Sequence, residues 1–224
     1  MRKFARRMKR MSAEDKLILG LGVVMVVGLL ILGIIRFTGN TAQILTIDDL
    51  HEQNLKGKLK EDQGYLYEGF SFVNFSGVWY SQIVAPKGSI YDVAFNHDPR
   101  SVEDIPVKGS LNADFLKRGT FYITFDPLDE NLQYVGKANA GLSTALTKAF
   151  GKYLVAGCLV NETDACHNVP IITCDDENKS VIVLLNEAPA QVTLDNNCVI
   201  IQGADDDLVR AKDRLLLRWY GIKE

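Results

Sequence analysis

The chain has only three histidines and four cysteines in 224 residues, and neither type stands at the spacing of a reaction centre. No H-E-x-x-H, G-x-S-x-G, P-loop or dinucleotide fingerprint occurs, so zinc-protease, serine-hydrolase and nucleotide chemistries have no local signature. The cysteines come no closer than eight residues, which argues against paired zinc ligands and a C-x-x-C redox motif. Asp175-Asp176-Glu177 and Asp205-Asp206-Asp207 lack the alternate spacing of a calcium loop, and the second run reads as a helix start favoured by the dipole. Internal repeats and low-complexity tracts are absent. No cofactor or metal is expected.

A basic excess over the body is also lacking. Residues 1–36 hold 8 Lys+Arg against 2 Asp+Glu, whereas the rest of the chain holds 17 against 26. A basic head on an acidic body excludes a nucleic-acid-binding body and points to an oriented membrane protein.

What is present begins with Leu17 to Ile35, 19 residues without a charge. As a helix they would reach about 28 Å, close to the hydrocarbon thickness of a bilayer. Arg2, Lys3, Arg6, Arg7, Lys9, Arg10 and Lys16 precede this run and only Arg36 follows it closely, so the positive-inside rule puts the N-terminus in the cytoplasm and the body outside. A cleaved signal peptide fits less well, because the apolar run is long and Asn40-Thr41-Ala42 offers no small residue three places before a cut. Phe4, Met8 and Met11 would share a helical face that can lie on anionic lipid, although charges that only enforce topology explain the tail as well. The expected organisation is a cytoplasmic tail over 1–16, a transmembrane helix over 17–35, a polar juxtamembrane stalk over 36–64 and an extracytoplasmic domain over 65–224.

From Tyr65 the hydrophobic period becomes two. Runs at Phe70–Phe75, Val78–Val84 and Ile90–Phe95, broken by Ser76-Gly77 and Pro86-Lys87-Gly88, predict an antiparallel meander. Its aromatics belong to a buried face in preference to a ligand cleft. Thr120–Phe125 reads as a strand, and Asp126-Pro127 as the cap and first residue of a helix running to Gly151. Gly136 and Gly141 in that helix predict close approach to a neighbour. Leu154–Cys158 is then a strand parallel to Phe121–Phe125. Val169–Cys174, Val181–Leu185, Gln191–Leu194 and Cys198–Gln202 read as further strands, and a final amphipathic helix starts near Asp205. The fold class is α+β: an N-terminal transmembrane helix, an antiparallel meander, and a mixed α/β part ending in an amphipathic helix.

Cys158, Cys166, Cys174 and Cys198 all fall on the expected outer side, where an even count reads as two disulfides. Three pairings are possible. The spacing favours Cys158–Cys166 and Cys174–Cys198, whose loops would contribute about 2.6 and 3.5 kcal/mol by closure entropy. Asn161 and Asn178 begin glycosylation sequons in expected loops, and Asn74 begins one in a strand. His51 falls in the stalk, His167 in the cysteine loop, and His97 beside Asp98 reads as a loop residue making local hydrogen bonds. Arg210, Arg214 and Arg218 form a ridge at i, i+4, i+8 that can meet an anionic partner, with a solvated face as the plainer reading.

The segments Tyr65–Phe72, Gly77–Tyr80, Pro170–Cys174, Asn197–Ile200 and Asp213–Leu216 resemble a group of uncharacterised single-pass archaeal membrane proteins. The resemblance implies a membrane-anchored, disulfide-bearing outer domain and transfers no catalytic residue. The expectation is a membrane-anchored binding or assembly module of the cell envelope. Its partners would be the lipid bilayer and other envelope or membrane proteins, not nucleic acid. Rival readings are a membrane-tethered hydrolase or glycan-active enzyme, and a solute-binding domain feeding a transporter, which a deep pocket beneath Arg210 and Arg214 would support.

Overall fold

A computed structural model describes residues 21–31, 45–84, 88–161 and 164–224. The chain divides into two compact units, Met1–Leu45 and Thr46–Glu224. In the first, residues 21–31 are helical and almost wholly exposed. Among the described residues no helix is long and apolar enough to cross a membrane. The basic tail and both ends of the run expected to span the bilayer lie outside the described residues.

The second unit opens with helix α1 (Ile47–Leu55), whose N-terminus is closed by a capping box between Thr46 and Asp49. Residues 46–64 of the segment expected as a stalk therefore belong to the body. Asn54 anchors it by donating to the carbonyls of Tyr65 and Phe72 and to the Ser71 hydroxyl. A polar helix with a thin apolar stripe reads as a spacer, but here buried hydrogen bonds do the docking.

Strands β1 (Gly64–Tyr67), β2 (Phe70–Phe75), β3 (Val78–Val84) and β4 (Ile90–Phe95) form the expected antiparallel meander in the order β1-β2-β3-β4. Glu68-Gly69 and Ser76-Gly77 make its first two turns with positive φ at both residues, the conformation whose twist matches a two-residue hairpin.

The second sheet is mixed. Strands β5 (Val107–Leu111), β6 (Thr120–Phe125), β7 (Tyr153–Cys158), β8 (Ser180–Leu185), β9 (Gln191–Asn196) and β10 (Cys198–Gln202) lie in the order β5-β9-β10-β8-β6-β7. β6 and β7 are parallel, as expected, and are joined through helix α2 (Leu132–Lys148). Central β8 is buried along nearly its whole length, which explains its uninterrupted apolar run. β5 has no period-two signature because it is a largely exposed edge strand. Gly109, at φ +82°, is obligatory there, since a Cβ would fall 2.1 Å from the Leu194 carbonyl oxygen.

Two expectations need correction. Helix α2 starts at Leu132, not at Pro127, because Asp126 closes a separate turn: its carboxylate accepts from the Leu128 N–H and its carbonyl from Asp129. Val169–Cys174 makes no strand. It contributes a single bridge from Ile171 to Cys158, since Pro170 lacks an N–H and Thr173–Asp176 turns away.

Helix α3 (Asp206–Trp219) lies at the centre of the unit, buried along much of its length. A chain of rings runs from the meander past its C-terminal end to the mixed sheet. Phe72 meets Phe95 at 5.5 Å, Phe95 meets Tyr220 at 6.0 Å, and Tyr220 stacks on Phe150 at 5.6 Å. Phe150, Trp219, Phe115 and Phe121 continue it. The opposite face of the mixed sheet carries a smaller cluster of Ile172, Val181, Val183 and Cys198. The disulfides Cys158–Cys166 and Cys174–Cys198 form with the favoured pairing and fasten the irregular segment over this face.

Candidate functional site

A cleft of about 500 Å³ opens between β4 and α2. Six consecutive residues of β4 and its end, Tyr91 to Asn96, line one wall. Val78 and Tyr80 of the neighbouring β3 line it too, so the cleft takes in part of one face of the meander as well as the edge of β4. β4 is the last strand of its sheet, and the backbone of these residues has no hydrogen-bond partner on that side among the described residues. The other wall is one face of α2, where Lys137, Ala140, Gly141, Thr144 and Lys148 recur at helical spacing. Small residues at 140, 141, 145 and 149 keep the helix wall low. Of the meander aromatics, Tyr80 and Tyr91 reach the cleft, Phe95 borders it from the core, and Phe72 and Trp79 are buried away from it.

Below one end of the cleft a buried polar network joins α3 to the loop after β4. Lys212 and Asp213 are fully buried and pair with each other, and the Lys212 ammonium also donates to Asn96 Oδ1 at 2.9 Å. The second Asp213 oxygen accepts from the His97 backbone N–H at 2.9 Å and faces its Nδ1 at 3.1 Å. His97 Nε2 lies 2.8 Å from Asp206, whose other oxygen meets Lys137 at 3.3 Å. Burial by itself would push the His97 pKa down, but the hydrogen bonds and charges of Asp213 and Asp206 outweigh it and hold the pKa above the ordinary value. Burial likewise opposes ionisation of Asp206, yet the His97 bond and the Lys137 ammonium keep its pKa below the usual carboxylate range. With both ring nitrogens engaged, His97 tethers a loop to a helix.

The expected local partners of His97 are thus replaced by residues more than a hundred positions away. Its neighbour Asp98 instead accepts from the Tyr65 hydroxyl at 2.6 Å and caps a short turn through Arg100 N–H. Gly141 meets the expected close approach, because a Cβ there would lie 2.9 Å from the Lys212 ammonium. Gly136 does not, with nothing within 4 Å of an added Cβ.

The arginine ridge is divided. Arg210 is held by Asp207 and Asp104, each at 2.7 Å, and Arg214 is buried and donates to the carbonyls of Lys223 and Glu224. Arg218 is half-exposed, with no carboxylate partner among the described residues. None of the three lines the cleft. Asn161 and Asn178 are exposed, whereas Asn74 is half-buried in β2 and accepts from Gly77 N–H.

A second, shallower hollow of about 520 Å³ lies beside α1 and is lined by Asp48, His51, Glu52, Gln82 and Asp92. His51 donates or accepts through Nδ1 with Ser71 at 2.8 Å, and burial lowers its pKa against the pull of Asp92 and Asp48.

No protein-family model, curated protein or solved structure matches this chain. The cleft was invisible to motif reading because its lining is assembled from β3, β4, α2 and Tyr220, which are far apart in the chain. The available signals were indirect: a last meander strand, hence an edge, and alanine and glycine repeated along one face of α2.

Proposed function

We propose that the protein is a membrane-anchored binding module, held in the bilayer by its apolar N-terminal run and presenting the Thr46–Glu224 body on the outer side. The observation that carries this reading is the cleft between β4 and α2, whose volume falls in the range of ordinary ligand sites. Its walls combine apolar surface with a few polar groups, a composition suited to recognition. Two disulfides suit an oxidising compartment, and the basic flank of the apolar run suits a cytoplasmic N-terminus.

The test is photocrosslinking in native membranes. A benzoylphenylalanine at Tyr91 or Thr144 should give a discrete, identifiable adduct, and the same group at Lys117, remote from the cleft, should not. Equal labelling at all three positions, or none, refutes the cleft as a binding site. Orientation is read separately, by a membrane-impermeant maleimide that should label Lys117→Cys and spare Ser12→Cys in intact cells.

A further inference from the structure

We infer that the cleft takes a small organic acid, its carboxylate at the Asn96 end and its apolar body along α2. The inference rests on the binding role proposed above and names its ligand class. The polar floor decides which end is which. The Lys212 ammonium donates to Asn96 Oδ1 at 2.9 Å, so the carbonyl of this amide is spent on the floor side and its NH2 is turned the other way. That NH2 has no acceptor among the described residues, and Asn96 is half-buried in the cleft lining. Reversing the amide would set its NH2 against a fully buried ammonium. A buried cation thus locks Asn96 as a donor. Gly141 leaves room for that cation, since a Cβ there would lie 2.9 Å from the Lys212 ammonium, and the charge therefore sits directly behind the helix wall at the same end.

Two further donors border the cleft. Lys137, one turn before Gly141, donates to Asp206 and has other N–H groups to spare. The Tyr220 hydroxyl has no partner among the described residues, and burial together with the Asp213 charge keeps it a protonated phenol able to donate. Carboxylate acceptors are scarce. Asp92 is the one carboxylate of the lining; it accepts from Gln82 and lies four residues along β4, about 13 Å from Asn96. A site rich in donors fits a group that only accepts, and such charge-assisted bonds are the strong ones. With Lys137 and Lys148 against Asp92, the lining balances one negative charge, which suits a carboxylate and not a doubly charged phosphate. Ala140, Ala145 and Ala149 supply the apolar surface for the rest of the ligand, and about 500 Å³ holds roughly twenty non-hydrogen atoms.

The probes are a fragment library in which each skeleton is present as carboxylate, primary amide and amine, the phenylbutyrate and indoleacetate series among them. They are titrated into the full-length protein in detergent by calorimetry. Thr144→Trp, at an exposed helix site that closes the cleft, is the control for partition into detergent. Acids should bind the parent at least tenfold more tightly than their amides, with the amines weaker still. Asn96→Asp keeps an acceptor for Lys212 but replaces the donor with a like charge. It should weaken acid binding at least tenfold without lowering the melting curve, and Thr144→Trp should do the same. No binding by any acid, amides or amines binding as tightly, or acid binding that either variant leaves unchanged overturns the inference. If photocrosslinks from Tyr91 capture a ligand while no acid binds, the binding role survives and only the acid inference falls. If crosslinks are also absent, both fall.

Discussion

Replacing Asp213 with Asn should be among the most damaging single-atom changes available in this body. Its carboxylate accepts from Lys212 through one oxygen and from the His97 backbone through the other. An amide can serve only one of those donors, and its NH2 must face the other. Lys212 is 0% and Asp213 1% exposed, so water cannot take over. Removing one member of a buried pair leaves an uncompensated charge, at a cost of about 3–5 kcal/mol. For a body of this size that lowers the melting temperature by roughly 6–20 °C. Thermal and urea unfolding of the full-length protein in detergent measure it. Adding Lys212→Met to Asp213→Asn removes the stranded ammonium and should recover more than half of the loss, a coupling that independent sites would not show. An Asp213→Asn protein within about 0.5 kcal/mol of the parent, or a double variant no better than the single one, would refute the ion-pair argument.

Stability should also depend on His97. Its folded pKa is raised, so its contribution is full below the ordinary histidine value and fades as pH rises through the folded value. The stability gap between the parent and His97→Gln should therefore be larger at pH 6 than at pH 9. Asp206 acts oppositely: its folded pKa is lowered, so its share is lost on strong acidification. The two helix glycines should respond with opposite signs. Gly136→Ala gains up to about 1 kcal/mol from helix propensity alone, whereas Gly141→Ala drives a methyl against a lysine that Asn96 and Asp213 hold in place, and should lose about 1–3 kcal/mol in urea titrations despite the same propensity gain. Non-reducing peptide mapping should recover Cys158–Cys166 and Cys174–Cys198 as the bridged pairs. Opening the second by paired serine substitution should cost about 1 kcal/mol more than opening the first, by loop length.

The parts of the fold legible in the sequence are those where one physical rule governs a segment. β3 and β4 show period two because one face is buried, and α3 shows its stripe because nothing interrupts it. The disulfide pairing follows from proximity along the chain, each bridge joining consecutive cysteines, eight and 24 residues apart. Misreadings arise where two rules compete. Asp126-Pro127 is equally good chemistry for a helix start and for a turn, and the turn is used. α1 reads as a spacer because what holds it is Asn54, a polar residue whose burial no hydrophobic pattern reports. The candidate site is nearly illegible for a related reason. Its walls come from β3, β4 and α2, which are distant in sequence, and its polar floor joins His97 to Asp206 and Asp213 across more than a hundred residues.

The central position of α3 bears on how the body is made on the ribosome. The meander is complete by Phe95, yet Phe95 packs on Tyr220 and the loop behind it is fastened to Asp213. Strand β5 likewise waits for β9, about 80 residues later in the chain. During synthesis the aromatic face of the first sheet therefore stays uncovered until the last helix arrives. Nascent chains stalled before residue 206 should bind general chaperones through that face and release them when α3 emerges. Contacts of such long sequence separation also place the body among slow folders, with the sheets closing together in one late step.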